Sequence, residues 1–276
     1  NYVEDGYRSS ISVLTDGSFY YQGPTSAFRY LKMKYEFDEI IDRKNDEFSF
    51  SGKWQGPGYV LNQIGITDIR DDYICLETAD MDFRVAPEIV EDLKKLCDHG
   101  IFGYSSIPLR YREAVCHWYK TRKDWEFKPE DIYYFPGTHD AIAKMVARYT
   151  KEGDGVIVLT PCYGYHGDVD KQGRKYVSVE LINDGNEIFT IDYAAFEEAC
   201  KDPNNTMFIM CHPHNPTGRV FTHEELVKLG DICHANNVII VSDEVHSDIL
   251  RAGQSFEPMM KACGPKGFIA CTAVNK

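Results

Sequence analysis

The chain has 276 residues, of which 43% are hydrophobic and 26% are charged, and its formal net charge is −13. This length and composition are typical of a globular protein with a large core, built as one big domain or two smaller ones. So negative a chain repels phosphate backbones and anionic lipids, which disfavours nucleic acids and membranes as partners.

Nine cysteines are spaced irregularly along the chain, and none of them forms a C-x-x-C pair. An odd number of scattered cysteines in a chain of this size favours reduced thiols over a disulfide framework or a zinc site. The cysteine pattern therefore predicts a cytoplasmic protein.

The first 32 residues lack a sustained hydrophobic period, and Met33 then opens a segment, KYEFDEIIDRKND, that is typical of a natural start. We interpret 1–32 as a leader or tag-like segment. The alternative is a genuine N-terminal arm. We further expect an N-terminal arm region over 33–85 and a cofactor-binding large domain over 86–276.

From about residue 84, short apolar runs alternate with amphipathic segments. Helices are predicted at 86–99, 109–123, 139–151, 192–201 and 222–236, with another just after Tyr163. Strands are predicted at 132–135, 155–160, 175–181, 206–211, 238–242 and 268–271. This alternation indicates an α/β fold with a mostly parallel sheet and helices on both faces. Ligands in such sheets bind outside the carboxyl ends of the strands, where we expect the functional residues.

The first strand end leads through Gly137, Thr138 and His139 directly into a predicted helix. A glycine turn at a helix N-terminus presents unpaired backbone N–H groups, which suit a phosphate. An ordinary turn and helix cap would have the same sequence, so the segment alone does not establish a binding site.

Later strand ends carry Tyr163, the Asn215 of an N-P-T-G turn, Asp243 and finally Lys276. Each residue alone has a structural explanation, as a core position, a turn, a helix cap or a solvated charge. Their succession at consecutive strand ends favours one shared site. Cys211, His212 and His214 fit no standard zinc spacing, and we predict no metal there. These three residues are better explained by the N-P-T-G turn.

The turn at 215–218, the strand ending S-D-E at 242–244 and the lysine after the next strand resemble the fold-type I pyridoxal-phosphate enzymes of the class I and II aminotransferase group. Within that group, 79–83 (ADMDF), 99–105 (HGIFGYS) and 243–246 (DEVH) resemble the β-lyases of the PatB/MalY type. The resemblance runs from about residue 33 to the last residue.

This resemblance implies a role for each strand-end residue. Lys276 would carry the cofactor covalently and transfer the proton at the substrate Cα, and Asp243 would pair with the pyridine nitrogen. Tyr163 would stack on the cofactor ring. Asn215 would donate to the phenolate oxygen, with His246 nearby where ordinary aminotransferases commonly carry tyrosine.

The remaining implied contacts concern the phosphate and the assembly. Gly137, Thr138 and His139 would bind the phosphate, chiefly through their backbone N–H groups. Tyr104 would reach the phosphate of a neighbouring subunit, so the resemblance implies a homodimer with shared sites.

The implied activity is carbon–sulfur β-lyase chemistry, the α,β-elimination of L-cystathionine or a related L-cysteine conjugate to thiol, pyruvate and ammonia. One alternative is a pyridoxal-phosphate aminotransferase that uses the same residues. Chains of this family continue past the lysine into a C-terminal small domain that this sequence does not include. A second alternative is therefore an inactive fragment or a remnant that only binds the cofactor.

Overall fold

A computed structural model of the chain describes residues 35–43, 65, 81–185 and 188–273, together with the backbone of three strands near the N-terminus. These strands, β1 (Tyr2–Glu4), β2 (Tyr7–Val13) and β3 (Phe19–Gln22), pair as an antiparallel sheet. The sequence analysis assigned no element to this segment, because its hydrophobic residues follow no sustained period. The interpretation of 1–32 as a leader stays a prediction.

Contacts divide the chain into an N-terminal unit, Asn1–Ser105, and a C-terminal unit, Ser106–Lys276. In the N-terminal unit, helix α1 (Pro87–His99) has a proline in its first turn, where the missing N–H costs nothing. It ends at Gly100, whose left-handed conformation (φ 68°) lets its N–H donate to the Leu96 carbonyl. No residue of α1 is buried.

The C-terminal unit alternates helices and strands as the sequence predicts. Its helices are α2 (Leu109–Lys123), a short 3-10 helix (Pro129–Asp131), α3 (Thr138–Tyr149), α4 (His166–Asp170), α5 (Tyr193–Lys201), α6 (His223–Ala235) and α7 (Met259–Cys263). Its strands are β4 (Gly155–Thr160), β5 (Lys175–Glu180), β6 (Asn205–Cys211), β7 (Ile239–Asp243) and β8 (Phe268–Cys271). In the part of the chain that is described, no helix is both long and apolar enough to cross a membrane.

The five strands of this unit form one parallel sheet in the order β5-β4-β6-β7-β8. The ends of three strands are level, since Cys211 of β6 pairs with Asp243 of β7, which in turn pairs with Cys271 of β8. The predicted parallel sheet is therefore confirmed, and the residues after these strands meet at one edge.

Alternate residues of each strand enter two separate cores. Ile157 of β4 packs with Phe196 of α5 and other residues on one face of the sheet. Val158, the next residue of β4, packs with Ile142 of α3 on the other face. Because successive side chains of a strand point to opposite faces, this pattern confirms helices on both sides of the sheet.

The strand predicted at 132–135 is wrong. These residues follow the 3-10 helix as an irregular segment, and they pair with no strand in the described part of the chain. Tyr133 and Tyr134 are 80% and 60% exposed, and only Phe135 packs against the core. The run of large apolar side chains suggested a buried strand, but two of them face solvent. The sequence analysis also did not predict α7, whose five residues are too few to show a helical period.

Candidate active site

Asp243 is the last residue of β7, and its side chain is buried at the carboxyl edge of the sheet, with the residue 4% exposed. Its Oδ2 accepts a hydrogen bond from the Tyr165 hydroxyl at 2.8 Å, and its Oδ1 accepts one from the Val245 backbone N–H at 3.2 Å. Burial raises the pKa of the Asp243 carboxyl above its usual value, and these two hydrogen bonds oppose that rise. A cation beside Asp243 would stabilise its charged form.

Tyr165 is the hydroxyl donor to Asp243, and the sequence analysis did not single it out. The residue is fully buried, and burial raises the pKa of its phenol well above the usual value, with Cys211 and Asp243 adding to the rise. Tyr165 therefore remains a neutral donor. The only signal in the sequence is its position two residues after Tyr163 in the loop that follows β4.

The rings of Tyr163 and His139 lie beside Tyr165, the residue that donates to Asp243. Tyr163 is 49% exposed, and its ring centroid lies 5.1 Å from that of His139 and 6.2 Å from that of Tyr165. The Nδ1 of His139 lies 2.5 Å from Oδ2 of Asp168, which fixes the orientation of the imidazole. Asp168 lies in α4 and is a second residue that the sequence analysis missed, since nothing in the sequence pairs it with His139.

The N-terminus of α3 lies beside these rings, since His139 is the second residue of the helix. Gly137 is the residue before the helix and adopts an extended conformation (φ −167°), with no side-chain cap. A Cβ atom placed on Gly137 would meet no atom within 4 Å. The first N–H groups of a helix have no partner within the helix and carry its positive dipole end. Gly137, Thr138 and His139 thus offer open space and donors suited to an anion, and their role in binding a phosphate stays a prediction.

Asn215 lies next to Tyr163, because its backbone carbonyl accepts the Tyr163 N–H at 3.0 Å. Its own N–H donates to the Cys211 sulfur at 3.3 Å, which fastens the turn to the end of β6. Asn215 and His246 both line an open cavity of about 400 Å³, which also includes Arg251. The loops after β4, β6 and β7 therefore converge on one region.

The structure thus places Asp243, Tyr163 and His139 around Tyr165, with Asn215 held to Tyr163 by a backbone hydrogen bond. Lys276, the predicted cofactor lysine, lies outside the described residues, and so does Asp80. Tyr104 belongs to the N-terminal unit, where it is fully exposed.

The rest of the ADMDF segment packs within the N-terminal unit. Asp82 accepts a hydrogen bond from the Arg43 guanidinium at 3.0 Å, and Phe83 packs edge-on against Phe37 at 5.4 Å. The described part of this segment is therefore held by residues 37–43, and its role in a lyase site stays a prediction.

His212 and His214 are buried as neutral imidazoles. The Nε2 of His212 lies 3.1 Å from the Glu257 carbonyl oxygen, and the Nδ1 of His214 lies 2.8 Å from the Thr217 hydroxyl. Burial is the main cause that lowers the pKa of each ring to about 4. Within the described ranges, no group of three His, Cys, Asp or Glu side chains is arranged to hold a metal ion.

Pyridoxal phosphate fits the donors and surfaces of this site. Asp243 is a buried carboxyl group suited to a protonated ring nitrogen, and the exposed face of Tyr163 suits a flat aromatic ring. The open N-terminus of α3 suits a phosphate. The arrangement therefore matches a ligand with a phosphate, a flat ring and a basic nitrogen.

Comparisons with known proteins agree with this chemistry. The family model for aminotransferase class I and II matches residues 71–270. Cystathionine beta-lyase PatB of Bacillus subtilis (strain 168) is 39% identical over 224 residues, which cover 80% of this chain and 55% of PatB. Protein MalY of Escherichia coli (strain K12) is 27% identical over 226 residues, covering 81% of this chain and 55% of MalY.

Among solved structures, cystalysin from Treponema denticola, which contains a pyridoxal 5'-phosphate cofactor, matches with a TM-score of 0.78 and 32% identity. This match covers 87% of the chain and 60% of cystalysin. The chain spans about half the length of the curated relatives it matches. The resemblance and the fold class predicted from the sequence are both confirmed.

Proposed function

The chain belongs to the class I and II aminotransferase family, and from that premise we propose that the protein is a pyridoxal-phosphate-dependent carbon–sulfur β-lyase. Its substrate would be L-cystathionine or a related L-cysteine conjugate. The observation that carries the proposal is the buried Asp243 carboxyl group, which accepts from the Tyr165 hydroxyl, whose ring in turn lies 6.2 Å from the half-exposed ring of Tyr163. The similarity to PatB, a cystathionine beta-lyase, supports the reaction type.

When bound, pyridoxal phosphate supplies an electron-accepting ring that stabilises negative charge at the substrate Cα. Asp243 would hold the proton on the ring nitrogen, and Tyr165 would keep the Asp243 carboxyl in place. Tyr163 would cover one face of the ring and exclude water from it. The N–H groups at Gly137, Thr138 and His139 would bind the phosphate, with Asp168 orienting the His139 imidazole.

Lys276 would bind the cofactor covalently and, once released, would take the proton from the substrate Cα. The Cβ–S bond then breaks and the sulfur leaves as a thiolate. Overall, L-cystathionine and water give homocysteine, pyruvate and ammonia.

His246 and Asn215 would lie at the phenolic oxygen of the cofactor. They line the same cavity, which supports a shared contact. We propose that the imidazole of His246, with Asp80, Met81, Asp82 and Phe83, belongs to a site suited to elimination. A tyrosine at the His246 position would instead be typical of aminotransferases.

We further propose a homodimer in the cytoplasm. Tyr104 is fully exposed in the single chain, which supports its predicted contact with a neighbouring subunit. All the cysteines in the described ranges are free thiols, consistent with a reducing compartment.

The test uses full-length protein saturated with pyridoxal phosphate and incubated with L-cystathionine, without any keto acid. We expect continuous release of pyruvate and ammonia over many turnovers. The Lys276→Ala variant should release neither and should retain no covalent cofactor after borohydride reduction, while an exposed control, Lys151→Ala, should match the wild type.

Two outcomes would contradict the proposal. If the enzyme stalls in the amine form until a keto acid is added, it is an aminotransferase. If the wild-type protein binds no pyridoxal phosphate at all, the cofactor assignment itself is wrong.

A further inference from the structure

Lys123, the last residue of α2, is a buried lysine that contacts the turn after Asp243. The residue is only 6% exposed. Its ammonium group donates to the Ser247 hydroxyl and forms an ion pair with Oδ1 of Asp248 at 3.1 Å. It also lies over the rings of Tyr119, at 4.7 Å, and Phe256, at 4.8 Å. A buried ammonium group is stable only when it is paired in this way.

Both partners of Lys123 belong to the turn that follows Asp243. Within this turn the Val245 N–H donates to the Asp243 carboxyl at 3.2 Å, and the Ser247 N–H donates to the Glu244 carbonyl at 3.0 Å. The next bond joins the Ile249 N–H to the His246 carbonyl at 3.0 Å. These bonds therefore link Ser247 and Asp248 to the backbone that carries Asp243 and His246.

A second helix residue binds the same turn from α2. The indole N–H of Trp118 donates to Oδ1 of Asp248 at 2.9 Å. Trp118 is exposed, whereas Lys123 is enclosed by the turn and two rings. The contact through Lys123 is therefore the less replaceable of the two, since water can substitute only for the exposed one.

Glu244 joins the start of the turn to the first residue of α7. Its Oε1 accepts from the Ser242 hydroxyl at 3.1 Å and from the Met259 N–H at 3.0 Å, whereas Oε2 has no hydrogen-bond partner in the described part of the chain. Burial raises the pKa of Glu244 to about 7, and the charge of Lys123 opposes that rise. Lys123 is thus the cation that faces both acidic residues of the turn, Glu244 and Asp248.

We propose that Lys123 is a positioning residue for the active site: by binding Ser247 and Asp248 it sets the geometry of the Asp243–His246 segment against the cofactor. The inference rests on the proposed function, because it assigns Asp243 and His246 to the cofactor. Lys123 itself touches neither the cofactor nor the substrate. Its loss should change how the cofactor is oriented, even when every site is occupied.

The experiment compares full-length wild-type protein with Lys123→Met and the milder Ser247→Ala, each saturated with pyridoxal phosphate. Visible circular dichroism of the bound cofactor reports its orientation in the site, and titration gives its dissociation constant. We expect both variants to change the dichroic signal per bound cofactor and to raise the dissociation constant at least about tenfold, the lower end of the effect of one hydrogen bond to a charged group. The double variant should match Lys123→Met alone, since Ser247→Ala acts through its contact with Lys123, which Lys123→Met has already removed.

The matched control is Lys120→Met in the same helix, which removes an exposed ion pair with Glu126, a residue beyond the end of α2. It should leave both measurements unchanged. If Lys123→Met does not fold, Ser247→Ala decides the question alone. An unaltered dichroic signal and affinity in the variant that folds would overturn the inference, even if the protein melts earlier. A wild-type protein that binds no cofactor would instead refute the proposed function.

Discussion

Asp243 lies at the last position of β7 with its carboxyl group buried, and burial raises its pKa. Such a group favours the protonated form in the folded protein, so it stabilises the fold at pH values below its unfolded pKa. That contribution is lost as the pH rises through the folded pKa, because the buried carboxylate must then carry its charge. A protonated pyridine nitrogen beside it would remove this cost at neutral pH.

This reasoning predicts opposite effects of Asp243→Asn on the apo and loaded protein. The apo variant should be more stable than the wild type at pH 7 and should lose this advantage at pH 3.5, as urea unfolding would show. Pyridoxal phosphate should bind about 10- to 150-fold more weakly, because a hydrogen bond to a charged group contributes about 1.5–3 kcal/mol. The rate of elimination should fall by a larger factor than the cofactor affinity, because an amide cannot keep the ring nitrogen protonated.

A different result would assign Asp243 another role. If the variant binds the cofactor and turns over as the wild type does, Asp243 only accepts the hydrogen bonds from Tyr165 and Val245. The exposed Asp92→Asn change, on the surface of α1, gives the baseline for replacing a carboxylate by an amide.

At the scale of single residues, the sequence analysis singled out Asp243, Asn215 and Tyr163 as candidate site residues but missed the residues that hold them in place. Tyr163 and Tyr165 are indistinguishable in the sequence, and only the fold shows that one is half exposed and the other buried against Asp243. Likewise, the contact between Asp168 and His139 joins residues from α4 and α3. Such contacts depend on how the elements pack against each other, and a local sequence pattern does not predict that packing.

At the scale of elements, the predicted strands β4 and β8 have the observed bounds, because short apolar runs between polar turns mark a buried parallel strand clearly. The segment 132–135 has a similar composition but lies outside the sheet. Its misassignment shows that an apolar run predicts burial only where a neighbouring strand can pair with it. The turn that follows, and the start of α3 at Thr138, were nonetheless predicted within one residue.

The N-terminus of α3 allows a test of the phosphate site that separates binding from stability. Gly137 has an extended backbone that any residue can adopt, and a Cβ atom there meets nothing within 4 Å. We therefore expect Gly137→Val to lower the stability of the apo protein by no more than about 1 kcal/mol, the usual effect of changing the residue before a helix.

In the loaded protein the same side chain would occupy the space of the phosphate. Overpacking of this kind costs about 1–3 kcal/mol, so the dissociation constant of pyridoxal phosphate should rise roughly 5- to 150-fold. Gly137→Ala should show a smaller rise in the same titration. Equal affinity in all three proteins would mean that the phosphate binds elsewhere.

At the scale of the whole molecule, helix α1 presents an apolar stripe that is exposed among the described residues. Ile89, Leu93 and Leu96 are each at least 50% exposed, and they follow one another at intervals of four and three residues on one face. The opposite face carries ion pairs such as Lys94–Glu91. We expect this exposed stripe to be a surface for association, which the predicted homodimer would cover.

The last prediction is that the Leu93→Gln, Leu96→Gln double variant weakens this dimer. Each leucine loses about 1.5–3 kcal/mol of burial at an interface, and the effect counts twice in a symmetric dimer. Sedimentation velocity over a range of concentrations should show a dimeric wild type and a variant that dissociates. The paired control Lys94→Gln, Lys95→Gln, on the polar face, should stay dimeric.

Dissociation should also weaken cofactor binding, because Tyr104 of one subunit is predicted to reach the phosphate in the other. The affinity of the double variant for pyridoxal phosphate should therefore rise with protein concentration, while that of the control stays constant. A wild type that is monomeric yet binds the cofactor fully would show that the site is complete within one chain. The exposed stripe on α1 would then need a different partner to cover it.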